Sequence, residues 1–296
     1  MTQTSPAAAP AAATGNPAVA AARARYDRDG YLSPIRVMAA DAATALYDAL
    51  EAQRHAQPDR AQKAIGPNCH LLFPTLWDLA HDPRVLDAVE PLIGPDILIW
   101  SGQIFGKPAM SGGYVSWHQD STYWGLEPPD IVTAWVALTP STVASGCMRV
   151  VPGSHGWGQL EHKDSFADHN LLSRGQEVQV DVDEATAVDI VLEPGEMSLH
   201  HVRIVHGSAP NRAAHPRFGF AIRYIPTYCR QARARTFAAL ARGTDAYGHF
   251  DQPPRPDAPL SEAAWSAHAE SLARINAVMM AGATQDSRIA GYRAGS

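Results

Sequence analysis

The sequence predicts a mainly β protein with flanking helices, its strands folded as a double-stranded β-helix, the cupin-like jelly roll. Three observations lead there. From Asp96 onward the chain breaks into short β-rich runs separated by Gly, Pro and Asp, the texture of an antiparallel sandwich or barrel. Eight such runs occur, at Ile97 to Lys107, Val115 to Asp120, Ile131 to Leu138, Met148 to Val151, Val188 to Leu192, Met197 to His201, Ile204 to Ser208 and Phe218 to Tyr224. Helical periodicity is confined to the stretches before and after them, and no repeat of solenoid period is present.

The elements follow in order. Met1 to about Ala22 is mostly Ala, Pro, Thr and Ser and lacks both a basic n-region and an apolar h-region, so residues 1–23 read as a disordered leader. Residues 24–296 then form a single domain, with its jelly-roll core at about 96–228. From Asp41 to Ala52 apolar residues recur at helical spacing with Asp41 as N-cap. A second helix starts at Asp82-Pro83, a cap followed by proline at the first helical position, and carries Val85, Leu86 and Val89 as its apolar stripe. Pro91 and then Gly94-Pro95 should end it. Gly156 to Ala187 interrupts the strands as a long polar insertion, read as a lid or loop over the barrel mouth. Arg230 to Arg242 is Ala- and Arg-rich and reads as helical, Gln252 to Pro256 must be a loop, and a last helix runs from Glu262 to about Met280. These form a helical extension over 230–290.

Composition bounds the function. The chain has 296 residues, 46% of them hydrophobic, which is enough for a substantial core. A net charge of −6 leaves no basic excess to meet phosphates, so the predicted partner is a small molecule and neither nucleic acid nor an anionic membrane. No apolar run of spanning length occurs. Cys69, Cys147 and Cys229 are widely spaced with no CxxC motif, as for reduced thiols in a cytoplasm.

The chemistry concentrates at two places. His118 and Asp120 stand two apart, so on an extended strand both side chains leave one face. With His206 arriving from a distant strand they form the two-imidazole, one-carboxylate set that holds Fe(II) and leaves positions open for dioxygen. Ser208, two residues after His206, and Arg217, eleven after it, suit the far carboxylate of a 2-oxoacid, because guanidinium presents a planar fork to a carboxylate. Ser101, Gln103, Phe105 and Lys107 share one strand face, a largely polar stripe pointing into the cavity, and Lys107 can reach a carboxylate of co-substrate or substrate or end in solvent. Trp135 is assigned to the pocket wall. Arg223, six residues beyond Arg217, points the same way on an unbroken strand and is read as paired with a buried carboxylate in preference to an anionic substrate. His155, His200 and His201 take supporting or core roles and make no second metal site.

With these residues in place, the chain resembles the phytanoyl-CoA dioxygenase family of Fe(II)- and 2-oxoglutarate-dependent oxygenases over roughly Tyr26 to Tyr228. The resemblance rests on Tyr26-Asp27-Arg28-Asp29-Gly30-Tyr31-Leu32, on His118-Gln119-Asp120, on Gly146 to His155 and on His206-Gly207-Ser208. It implies iron on His118, Asp120 and His206, 2-oxoglutarate as co-substrate with its C5 carboxylate on Arg217 and Ser208, O2 as oxidant, and hydroxylation of an unactivated C–H bond with release of succinate and CO2. Acidic balance and the absence of a basic cluster for coenzyme A favour a small polar metabolite or natural-product intermediate. Two alternatives stand beside this. A halogenase carries Gly or Ala where this chain has Asp120, and a cupin-like isomerase or non-catalytic 2-oxoglutarate or metal-binding protein can use the same barrel.

Overall fold

The structure, a computed structural model, describes residues 16–284. In chain order it runs α1 (Pro17–Asp29), β1 (Tyr31–Arg36), α2 (Ala40–His55), α3 (Pro74–Ala80), α4 (Pro83–Ile93), β2 (Ile97–Lys107), β3 (Val115–His118), α5 (Ser121–Trp124), β4 (Leu126–Glu127) and β5 (Val132–Ala137). It continues through β6 (Met148–Val150), β7 (His162–Asp164), β8 (Gln176–Val178), β9 (Val188–Ile190), β10 (Glu196–His201), β11 (His206–Ser208), β12 (Arg217–Pro226), β13 (Arg230–Gln231), β14 (Ala239–Arg242) and α6 (Glu262–Met279). The strands form a six-stranded sheet in the order β1-β10-β5-β12-β2-β14 and a four-stranded sheet in the order β3-β11-β6-β9. Every pairing within them is antiparallel, and the expected jelly roll is present.

Strand β12 shows why the six-stranded sheet sits in the middle of the molecule. It is buried along nearly its whole length, as a strand covered on both faces must be. Phe218, Phe220, Ile222 and Tyr224 alternate onto one face, where with Val132, Ala134 and Val136 of β5 they meet Val85, Leu86 and Val89 of α4 in the main core. Each such side chain contributes about 1.5–3 kcal/mol when fully buried. Arg217, Ala221 and Arg223 alternate onto the other face, toward the four-stranded sheet. Trp135, Ala137 and Ala221 pack there against Met148, Val150 and Ile190 of the opposing sheet.

Several expectations need correction. The leader is helical from Pro17: the Asn16 side chain accepts from the Ala18 amide, Pro17 fills the first turn, and Gly30, at φ 79°, closes the end. Helix α1 is held to the body because Arg23 donates to the carbonyls of Pro91 and Leu92 at the end of α4. Residues 1–15 of the expected leader lie outside the described residues. Helix α2 starts one residue before Asp41, so Asp41 is not its N-cap but sits in the first turn, where its carboxylate accepts from the Ala42 amide and meets the positive end of the helix. Pro91 lies inside α4, which ends at Gly94.

The segment 230–242 is not helical. Its intrinsic preference loses to unpaired edges: Arg230 and Gln231 pair with Glu127 and Leu126, and Ala239 and Leu240 pair with Ile99 and Leu98 at the border of the large sheet. Residues 285–290 of the expected extension lie outside the described residues. The last helix follows the sequence closely, with Ser261 capping the Ala264 amide.

Gly219 marks the tightest packing point of the inner face. A Cβ there would lie 2.1 Å from the Trp135 ring. Gly219→Ala is therefore expected to destabilise the fold by about 1–3 kcal/mol and to displace Trp135, read as a lowered urea midpoint with a changed near-ultraviolet signal. An unchanged midpoint would show that the ring moves freely.

Candidate active site

His118 and His206 face one another across the β3–β11 pairing. Their ring centroids are 4.1 Å apart. The Nδ1 of His118 lies 2.9 Å from the Ser116 carbonyl and 3.1 Å from that of His206, and the Nδ1 of His206 lies 3.0 Å from the Ile204 carbonyl. A carbonyl only accepts, so both Nδ1 atoms carry the proton and both Nε2 lone pairs are free. Those lone pairs point at Asp120, whose Oδ1 is 3.2 Å from Nε2 of His118 and 3.9 Å from Nε2 of His206. One ligand atom from each of the three lies within 4.8 Å of the others, and two imidazoles with one carboxylate suit Fe(II).

Asp120 reaches this point differently from the expected strand. Strand β3 ends at His118, and Asp120 has helical backbone angles at the head of α5. The turn is secured by Gln119, fully buried, whose side-chain amide donates to the carbonyls of Gly158 and Arg203 at 2.9 and 2.7 Å and accepts from the Leu160 amide. Burial pushes the Asp120 pKa up. The neighbouring His118, His206 and Arg223 outweigh that and hold the carboxyl below its usual range. Burial lowers His206 to about 3.

The second group lies on the same cavity. Arg217 is buried on β12, with its guanidinium 4.4 Å from the centroid of the Trp135 ring and Nε 3.3 Å from the Ser141 hydroxyl. Directly opposite it on β2 is Lys107, fully buried, whose ammonium donates to the Ser208 hydroxyl at 2.6 Å and to the carbonyls of Gly146 and Ala209. Of the two readings for Lys107, the solvated end is excluded. Neither cation forms an ion pair among the described residues. Burial and the Arg217 charge bring Lys107 down to about 7, and burial brings Arg217 down to about 10.

The cavity between the sheets has a volume of about 780 Å³ including its open mouth. It brings together His118, Asp120, His206, Ser208, Arg217, Gln103 and Trp135. Lys107 stands behind Ser208. Leu171, Leu172, Ser173 and Gln176 of the polar insertion and Met279 of α6 also line it. The insertion residues share no periodicity with the strands, and nothing in the sequence placed Met279 there. Nothing in their sequence surroundings marks Ser141, which meets the Arg217 Nε, or the cavity-lining His200 for the site. Arg223 lines the cavity and makes no ion pair among the described residues, against the reading that paired it with a buried carboxylate. His155 lies outside, with Nε2 3.1 Å from the Asp27 carbonyl and its ring tilted against that of His201.

The sequence profile of the phytanoyl-CoA dioxygenase (PhyH) family matches residues 26–219. A probable α-ketoglutarate-dependent hypophosphite dioxygenase of Stutzerimonas stutzeri is 30% identical over 154 residues, 49% of this chain and 51% of its own length. Human peroxisomal phytanoyl-CoA dioxygenase is 30% identical over 134 residues, 44% of this chain and 40% of its own. The chain spans about half the length of the curated relatives it matches. Among solved structures, a non-heme monooxygenase, ThoJ, superposes with a TM-score of 0.79 at 35% identity, covering 87% of this chain and 97% of that one. CytC3 with Fe(II) and α-ketoglutarate gives 0.62 at 25% identity over 85% and 98%.

Two outcomes follow from the geometry. His206→Ala should weaken Fe(II) or Ni(II) binding by more than about 100-fold, since even loss of a partner behind a ligand costs 10- to 100-fold. Calorimetric titration of the folded variant measures it, and retention of full affinity would move the site elsewhere. The second concerns Lys107. Its amine is partly neutral just above neutral pH, and an arriving carboxylate raises its pKa, so 2-oxoglutarate binding to Ni(II)-loaded protein should take up a fraction of a proton. The binding enthalpy should then vary with the ionisation heat of the buffer, and Lys107→Met should abolish the variation.

Proposed function

Because the chain belongs to the phytanoyl-CoA dioxygenase family, a family of Fe(II)- and 2-oxoglutarate-dependent oxygenases, we propose that it hydroxylates an unactivated C–H bond of a small polar metabolite or natural-product intermediate. His118, Asp120 and His206 hold the iron. Arg217, Ser208 and Lys107 hold the distal carboxylate of 2-oxoglutarate, while Gln103 and Trp135 wall the space between. One observation carries this reading: the buried cations at Arg217 and Lys107 have no acid partner among the described residues, and Arg217 lines the cavity of a buried His-Asp-His cluster, with Lys107 behind Ser208 of the same wall. A dianion with a chelating end and a free carboxylate end satisfies both.

Bound iron, with 2-oxoglutarate and O2, supplies the oxidation that converts C–H to C–OH while the 2-oxoacid is converted to succinate and CO2. The protein does the rest by position. Backbone carbonyls behind both imidazoles fix the ring orientation, so the metal-facing lone pairs are already aimed before any ligand arrives. Trp135 stacks on Arg217 and keeps its fork in the plane a carboxylate needs. Leu171 and Leu172 from the insertion exclude water above the reacting carbon, which protects a reactive oxidant from side reactions.

The three cysteines, free and buried, support a reducing compartment, for which we propose the cytoplasm. No helix among the described residues is long and apolar enough to cross a membrane.

Anaerobic loading with Fe(II) and 2-oxoglutarate, followed by O2 and a metabolite panel, tests the activity. The expected result is O2 uptake coupled to succinate release and stimulated by one chemical class of the panel. A protein that binds both and consumes neither would be a sensor. Asp120 decides between hydroxylation and halogenation, because its carboxylate takes the coordination position that chloride would need. In high chloride and labelled O2 the main product should carry labelled oxygen. A chlorinated main product would overturn the hydroxylase reading.

A further inference from the structure

The inner face of the six-stranded sheet is arranged in rows set by strand register. At one end Arg217 of β12 faces Lys107 of β2. Six residues further along, Arg223 faces Ser101 of β2 on one side and Thr133 of β5 on the other, and Thr133 faces His200 of β10. Arg223, Thr133 and His200 are thus neighbours across three adjacent strands, roughly 20 Å along β12 from Arg217 by strand rise. All three line the cavity that holds the His-Asp-His cluster. His200 lies beside it, with ring centroids 5.1 Å from His206.

This second row is built of polar groups with nothing to bind. The Nε of Arg223, the Oγ1 of Thr133 and the Nδ1 of His200 are each buried without a hydrogen-bond partner. Thr133 is 1% exposed and His200 3%, so solvent does not satisfy them. Among the described residues Arg223 donates to the Ala221 carbonyl, at 3.4 Å, and lies over the face of Trp124, at 5.6 Å from the ring centroid. The acid nearest in chemistry is Asp120, which already faces both metal-binding imidazoles. Buried polar groups in native proteins have partners, and a cluster without them is a cluster arranged for a ligand.

We propose that Arg223, with Thr133 and His200, receives a carboxylate of the substrate, so that the substrate is a carboxylic acid carrying an apolar body. The proposal rests on the oxygenase reading, because that reading assigns Arg217 to the co-substrate and leaves Arg223 for the second molecule. Three convergent donors match the lone pairs of one carboxylate: a guanidinium, a hydroxyl and a ring N–H. Charge points the same way. A divalent metal, Arg217 and a protonated Lys107 already offset Asp120 and a dianionic co-substrate, so Arg223 remains a cation without an acid partner among the described residues, and an anionic group of the substrate supplies one. An apolar body fits Trp124, Met148, Leu171, Leu172 and Met279, which make much of the remaining wall beside the polar Gln103, Ser173 and Gln176.

The test uses the full chain loaded with Ni(II) and saturating 2-oxoglutarate, which blocks oxidation and fills the Arg217 site. The probes are 3-phenylpropionate, its neutral amide and phenylphosphonate, followed by tryptophan fluorescence and calorimetry. The acid should bind about tenfold or more tightly than the amide. Arg223→Gln should reduce that preference to less than about twofold while Ni(II) and 2-oxoglutarate affinities stay within about twofold of wild type, and Arg223→Lys should retain part of it. Equal binding of acid and amide by the wild type overturns the proposal, as does an undiminished preference in Arg223→Gln. Parallel loss of Ni(II) or 2-oxoglutarate binding in that variant also overturns it, because Arg223 would then serve Asp120. Tighter binding of phenylphosphonate than of the acid overturns the choice of carboxylate. If the wild type binds neither Ni(II) nor 2-oxoglutarate, the oxygenase reading fails, and the comparison of acid with amide on the metal-free chain still decides the role of Arg223.

Discussion

Two cations buried side by side with no acid partner among the described residues set the terms for the rest of the molecule. Removing an ion from water costs several kcal/mol even after relaxation, and two like charges add repulsion to that cost. The fold offsets it locally. Arg217 lies against the face of Trp135, and the Lys107 ammonium donates to the Ser208 hydroxyl and to backbone carbonyls. The cradle around Lys107 needs Gly146 at φ 71°, because a side-chain carbon there would sit 2.2 Å from the Ala209 carbonyl. Lowered pKa values at both cations are the residue of what the offsets do not cover. A ligand carboxylate removes that residue, so ligand binding and fold stability are linked at this one place.

The same strand carries both halves of the design. On β12 the residues that build the main core alternate with those that face the cavity, and a slip of one register would exchange Phe218, Phe220 and Ile222 with Arg217, Ala221 and Arg223. Burying two arginines among the core aliphatics is prohibitive, so the hydrophobic face also fixes which way the site points. The core is in that sense the positioning device for the chemistry.

Much of this was legible in the sequence, for reasons that can be named. Strands β2, β5 and β12 were placed almost residue for residue because strands buried on both faces read as near-continuous apolar, β-branched and aromatic runs bounded by turn residues. The residues of the His-Asp-His cluster were legible because few side chains suit the chemistry and their spacing is unusual. What failed was decided by partners. Asp120 leaves the strand because Gln119 finds distant carbonyls, which a window of a few residues does not contain. The two ends of the segment 230–242 became strand because free sheet edges outweighed its own preference. Helix α1 was hidden inside an Ala-rich composition, although its Asn-Pro start and Gly end were present to be read. The unpaired state of Arg223 was illegible in principle, since a sequence shows the acids available and not the ones in reach.

The rim of the cavity follows from a further set of long-range contacts. Arg174 of the insertion binds Asp164 and stacks 3.9 Å from the centroid of Tyr123, which belongs to the helical turn that begins at Asp120. The same guanidinium reaches the carbonyls of Met279 and Ala281 at the end of α6. Tyr123 in turn hydrogen-bonds Asp164. One arginine therefore joins the turn that delivers a metal ligand, the insertion that covers the cavity and the last helix, which contributes Met279 to the wall. Pieces far apart in sequence are held as one rigid border, and it is this border, more than the strands shared with every barrel of the type, that gives the cavity its shape. Specificity in such a fold resides where the connecting segments meet, because the strands already carry the two imidazoles of the His-Asp-His cluster and the buried cations.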